Sequence, residues 1–147
     1  MTARPAQLPD LAPVFQIEQA VFGQHIYPDF FFRQAHDLWP DLFLVAPGAQ
    51  DGELGGYIIG APGSGQGEFW IMSLAVHLHC RGQGTGKQLL QTLLQALRAR
   101  QASHAKLTVH PDNPAVRLYQ QLGFTIIEHQ PHYFGEDEPR LLMRVDF

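Results

Sequence analysis

Cysteine is almost missing from this chain. Its single example, Cys80, excludes an intrachain disulfide framework and fits a reducing compartment. Long hydrophobic runs are missing too: none approaches the ~20 apolar residues of a membrane span. The start, Met1-Thr2-Ala3-Arg4-Pro5, has no apolar signal core, so the expected location is the cytoplasm, with no membrane partner. Charge is sparse, at 16% of residues, and the net charge of −4 argues against general affinity for nucleic acid. Metal-ligand spacing is absent despite eight histidines: His77-x-His79 is isolated, and no HxxxH helix pattern occurs, so no metal is expected. There is no repeat, charge block or long linker. The 147 residues, 45% of them hydrophobic, are enough to bury a core, and one domain over 1–147 is expected, as a monomer or a homodimer.

Against this plain background stands Arg81-Gly82-Gln83-Gly84-Thr85-Gly86-Lys87. Before it, Trp70 to Val76 is an apolar run that reads as a strand. After it, Leu89, Leu90, Leu93, Leu94 and Leu97 have helical spacing. The glycines therefore sit at a helix N-terminus, where backbone N–H groups lack intrahelical partners and the helix dipole is positive, and where a missing Cβ lets an anion approach. A Walker loop does not fit, because Arg81 stands where its first glycine belongs and Gln88 follows the lysine. The dinucleotide fingerprint fails as well, since its third glycine would fall on Lys87.

The remaining chain alternates. A helix is expected over 10–22 and a short one from Asp29 to His36. Strands are expected over 42–46 and 54–59, joined as a hairpin around Gln50-Asp51-Gly52. A strand from Glu68 to Val76, the glycine loop and a helix ending near Ala102 follow, then a strand over 106–110. Asn113 and Pro114 start a helix that Gly123 stops. Closing strands are expected over 124–128 and 141–147. Antiparallel strands first and a strand–helix–strand crossover later describe an α/β fold with a mixed sheet.

Arg81-x-x-Gly84-x-Gly86 after Leu74-Ala75-Val76 resembles the acyl-coenzyme A pyrophosphate signature of the GNAT superfamily of N-acetyltransferases. Leu107 to Phe124, with Asn113, Tyr119, Gly123 and Phe124, is similar to a second segment of the same family. The segment His132 to Glu138, followed by Leu142-Met143, is similar to the closing hairpin of its ribosomal-protein and N-terminal amino-acid acetyltransferases. The resemblance implies a mostly antiparallel sheet splayed between its fourth and fifth strands, with about four helices. It implies acetyl-coenzyme A bound by Leu74, Ala75, Val76, Arg81, Gly82, Gln83, Gly84, Thr85, Gly86, Lys87, Asn113 and Tyr119.

Such an enzyme must align a neutral amine with a thioester carbonyl, polarise that carbonyl and protonate the departing thiolate. Tyr119 matches the family's general acid, and a phenol of pKa about 10 can protonate a thiolate whose conjugate acid lies near 8.5. The base positions depart: Thr108 and Trp70 stand where relatives carry ionisable groups or a catalytic tyrosine, and neither can take a proton from an ammonium. Glu68 shares a strand face with Trp70 and is the first candidate base, followed by Glu18 and His110, then His25 and His132. Glu18, His25, Tyr27, Tyr133 and Phe134 are the expected acceptor-binding residues, with Glu136, Asp137 and Glu138 attracting positive charge. The expected acceptor is a protein or peptide amine, an N-terminal α-amine above all. A small-molecule amine and a non-catalytic acyl-coenzyme A sensor are the open alternatives.

Overall fold

A computed structural model describes residues 2–23 and 25–147; Gln24, the neighbour of the expected acceptor residue His25, lies outside them. In chain order the elements are β1 (Arg4–Pro5), α1 (Leu11–Phe22), α2 (Asp29–Leu38), β2 (Phe43–Pro47), β3 (Leu54–Pro62) and β4 (Glu68–Val76). Then come α3 (Thr85–Ala99), β5 (His104–Val109), α4 (Ala115–Gln121), β6 (Thr125–Gln130) and β7 (Arg140–Asp146). The strands form one seven-stranded sheet in the order β1-β2-β3-β4-β5-β7-β6. Its recorded ladders are antiparallel except β4 with β5, so the mixed α/β architecture read from the sequence holds.

The chain divides into two compact units. The first holds residues up to Ala61 with Met72–Ala96. Here β2 pairs antiparallel with β3, Phe43 opposite Ile59 and Val45 opposite Tyr57, which is the expected hairpin. The two-residue β1 pairs Arg4 with Val45 and is too short to leave a period in the sequence. Val14, Ile17, Phe32, Phe43, Val45, Tyr57 and Ile59 form the core. The helical stripe of α3 is buried: Leu89, Leu90 and Leu93 are fully covered and Leu94 nearly so. Close approach explains the glycines of β3, since a Cβ on Gly56 would lie 2.8 Å from the Ala75 carbonyl oxygen and 3.1 Å from Leu89 Cδ1.

The second unit is Pro62–Ile71 with Leu97–Phe147. The first residues of β4 run parallel to β5, Glu68 beside His104 and Trp70 beside Lys106, while the rest of β4 continues into the first unit. β5 pairs with β7 along its whole length, and β6 pairs with β7 with a register shift between Ile126 and Glu128. α3 ends at Ala99, short of the expected Ala102, because Gln101 turns left-handed with φ of 61°.

Candidate active site

The first unit carries a buried carboxylate. Glu18 belongs to the inward face of α1 with Val14 and Ile17 and is only 2% exposed. An isolated buried charge is costly, so it must be hydrogen-bonded. The Tyr57 hydroxyl of β3 donates to Glu18 Oε1, and the Tyr27 backbone N–H donates to Oε2 at 3.0 Å. Ser73 of β4 stands 2.8 Å from the Tyr57 hydroxyl, and its Oγ donates to Glu18 Oε1 at 3.5 Å. Tyr27 is held at its other end as well, its hydroxyl donating to the Met72 carbonyl at 3.2 Å, and its ring stacks on Phe31 at 4.1 Å. Burial and the neighbouring Glu18 charge push the Tyr57 phenol well above its usual pKa, so it keeps its proton and acts as a fixed donor. Glu18 and Tyr27, two expected acceptor residues, are thus brought together; His25 is exposed in the same loop.

Following β4 in the same unit, a short turn, Leu78–Cys80, leads to the glycine loop and α3. Gly82 and Gly84 are left-handed, with φ of 78° and 81°, and a Cβ on either would meet nothing within 4 Å. Arg81, Gln83 and Lys87 are exposed, and Gly86 lies within the first turn of α3. Thr85 opens the helix and is 4% exposed, yet its Oγ1 has no hydrogen-bond partner among the described residues. Buried polar atoms are nearly always paired. An orphaned hydroxyl beside the unpaired N–H groups of a helix start is the donor set that a phosphate would complete. Leu74, Ala75 and Val76 form the last turn of the strand's pleat, with Ala75 buried and its neighbours half-buried.

In the second unit, Asn113 Oδ1 accepts the Ala115 N–H at 2.9 Å and so starts α4, as its cap chemistry predicts. Its amide N–H2 is the group it can offer to a ligand. Tyr119 is buried at 6% exposure, packs edge-on to Phe124 at 5.7 Å, and is held protonated by burial, which raises its pKa. Tyr133 and Phe134 are exposed and stacked at 4.7 Å, with the Arg140 guanidinium 4.9 Å from the Phe134 ring. His132 is exposed in the same connection, and His110 accepts the Asp112 N–H at 3.1 Å.

Glu68 shares the Trp70 face, as the strand period predicts, but its surroundings do not suit a base. Lys106 Nζ lies 3.0 Å and His104 Nε2 3.2 Å from Oε1, while Trp70 Nε1 and the Ser64 N–H each donate to Oε2 at 3.2 Å. Lys106 first, then His104 and Trp70, hold the carboxylate down to a pKa of about 2. Such a group is too weak to take a proton from an ammonium at neutral pH. It instead ties the loop before β4 to β5. A depressed carboxylate pKa stabilises the fold above the unfolded-state value of 4.5 and ceases to do so as pH falls through about 2. Glu68→Gln is therefore expected to lower the melting temperature at pH 7 and to have little effect near pH 2; equal losses at both pH values would show that the ion pair contributes nothing.

Sequence reasoning missed Tyr57, Ser73, His104 and Lys106. Two faint signals were available: Ser73 interrupts an apolar strand, and His104-x-Lys106 puts two nitrogen-bearing side chains on one strand face.

Residues 11–124 match the model of the acetyltransferase (GNAT) family, and the chain belongs to that family. It is 34% identical over 136 residues to an uncharacterized N-acetyltransferase of Methanocaldococcus jannaschii, covering 91% of this chain and 84% of the relative. It is 30% identical over 152 residues to an N-alpha-acetyltransferase of Sulfurisphaera tokodaii, covering 95% of this chain and 89% of the relative. The crystal structure of Ard1 from Thermoplasma volcanium superposes with a TM-score of 0.89 at 27% identity, covering 99% and 96% of the two chains. The chain is an N-acetyltransferase, and acetyl-coenzyme A is the acetyl donor of its family.

Proposed function

We propose that this enzyme transfers acetyl from acetyl-coenzyme A to the N-terminal α-amine of a protein or peptide. Similarity to an N-alpha-acetyltransferase along almost the whole of both chains carries the choice of acceptor. On the donor side, the orphaned Thr85 Oγ1 and the left-handed Gly82 and Gly84 fit a pyrophosphate, with Arg81 and Lys87 as exposed cations beside it. Acetyl-coenzyme A supplies a thioester, already an activated acyl group. Gln83, Thr85 and Gly86 bind through the loop and helix start, Leu74 to Val76 offer strand backbone, and Asn113 offers its amide. Tyr119 supplies the proton that the leaving thiolate needs, and the residues around Tyr27 receive the acceptor.

The test is a panel of peptides with free or blocked α-amines, with and without lysine, beside polyamines and other small amines, each incubated with acetyl-coenzyme A and read by mass spectrometry. Acetylation confined to free α-amines is expected. Turnover of small amines alone would overturn the acceptor assignment, and saturable donor binding with no thiol release on any acceptor would overturn turnover itself. A milder check follows from the orphaned hydroxyl: Thr85→Val, which keeps shape and removes the donor, is expected to weaken acetyl-coenzyme A binding about fivefold, or ~1 kcal/mol, by calorimetry. Unchanged affinity would mean that this hydroxyl does not face the cofactor.

A further inference from the structure

With Glu68 neutralised as a base by its own partners and Thr108 and Trp70 unable to serve, acetyl transfer still has to dispose of an amine proton. The first unit contains one connected set of groups able to take it. Ser73 is half-buried on β4, one residue before Leu74, whereas Tyr57 and Glu18 are buried behind it. The separations are 2.8 Å from Ser73 Oγ to the Tyr57 hydroxyl and 3.5 Å to Glu18 Oε1, and Tyr57 bonds Glu18 directly. Thus the half-buried end is a hydroxyl that can both give and receive a proton, and the buried end is a carboxylate that can hold one.

We propose that Ser73 and Glu18, held in register by Tyr57, form the proton relay for the acceptor amine. The amine arrives as an ammonium, which has no lone pair, so before its nitrogen bonds the acetyl carbon one N–H bond breaks and that proton passes to Ser73 Oγ. The second N–H proton, lost as the amide forms, goes to solvent and offsets the one that the leaving thiolate takes up. The Ser73 hydroxyl proton moves on to Glu18 Oε1, leaving Ser73 neutral and Glu18 as a carboxylic acid. Glu18 returns the proton to solvent by the same route after product leaves, so no net proton accumulates. Tyr57 does not titrate in this cycle; its role is to fix the carboxylate. Glu18 is met by the Tyr57 hydroxyl from β3, the Tyr27 backbone N–H from the loop after α1 and the Ser73 hydroxyl from β4; of these the Tyr57 phenol is the titratable group, and burial keeps it protonated. Oε1 is the receiving atom because it is the oxygen to which Ser73 Oγ donates, while the Tyr27 N–H holds Oε2.

This relay rests on acetyl transfer to an amine and not on which amine is used, so it is tested on whichever acceptor of the panel turns over fastest. For a peptide α-amine of pKa about 8, only about one molecule in ten is neutral at pH 7. An enzyme without a relay must wait for that fraction. Glu18→Gln and Ser73→Ala should therefore lower kcat/KM about tenfold at pH 7, and move the rising limb of the pH profile up to the pKa of the acceptor itself. Ser73→Ala removes only a half-buried hydroxyl and preserves the fold, which a melting curve verifies, so it decides the case if Glu18→Gln is unstable. A merely structural loss would scale the whole profile without moving its limb. Wild-type limbs in both variants, or a uniform scaling in Ser73→Ala, would overturn the relay. Failure of the α-amine assignment would instead show as a different preferred acceptor with the limb shift intact.

Discussion

Tyr119→Phe is expected to lower the turnover number by about 10²-fold while leaving acetyl-coenzyme A affinity within a factor of two, the usual scale for losing a general acid. Affinity is unaffected because the change removes one oxygen and nothing else. The ring remains buried against Phe124, so no cavity forms and stability should change by no more than ~1 kcal/mol. Burial raises the phenol's pKa above its ordinary value, and a group that never loses its proton between pH 6 and 10 contributes no falling limb there. The wild-type profile should accordingly stay flat at its alkaline end over that range. Stopped assays of free thiol release, with calorimetry of donor binding, check both parts. A Tyr119→Phe enzyme that turns over at the wild-type rate would make Tyr119 a packing residue, and the proton would then reach the thiolate from another group.

How far the sequence could be read depends on whether the information is local. The glycine loop was legible because left-handed φ at Gly82 and Gly84 and an apolar stripe from Leu89 to Leu97 both leave local patterns. Asn113 was legible as a helix start for the same reason: its Oδ1 reaches only two residues ahead. Glu68 was half legible. The period of two put it correctly on the Trp70 face, but the partners that set its charge, His104 and Lys106, arrive through a parallel ladder 36 and 38 residues away. Glu18 shows the limit most sharply. Nothing near it in sequence announces a buried carboxylate, and its partners Tyr57 and Ser73 lie 39 and 55 residues on. The misplaced end of α3 is different, because Gln101 takes a left-handed conformation with no glycine or asparagine to mark it.

Gly84→Val is expected to weaken acetyl-coenzyme A binding at least ~30-fold, about 2 kcal/mol, without unfolding the protein. Two effects act together. Gly84 has φ of 81°, a conformation that β-branched side chains strongly avoid, so the loop can keep its shape only by accepting strain of roughly 1–2 kcal/mol. A Cβ at this position meets no protein atom within 4 Å, so the new side chain occupies the open space in front of α3 where an anion would approach the helix start. The same openness is why the fold survives: nothing in the core has to move. Gly82→Val is the internal comparison, having nearly the same φ of 78° and the same open space. Strain alone would make the two variants alike, whereas an anion seated on the first turn of α3 makes Gly84, adjacent to Thr85, the more damaging position. Calorimetry of both variants with acetyl-coenzyme A, beside melting curves without it, separates binding from stability. Wild-type affinity in Gly84→Val would place the pyrophosphate elsewhere and remove the glycine loop from the donor site.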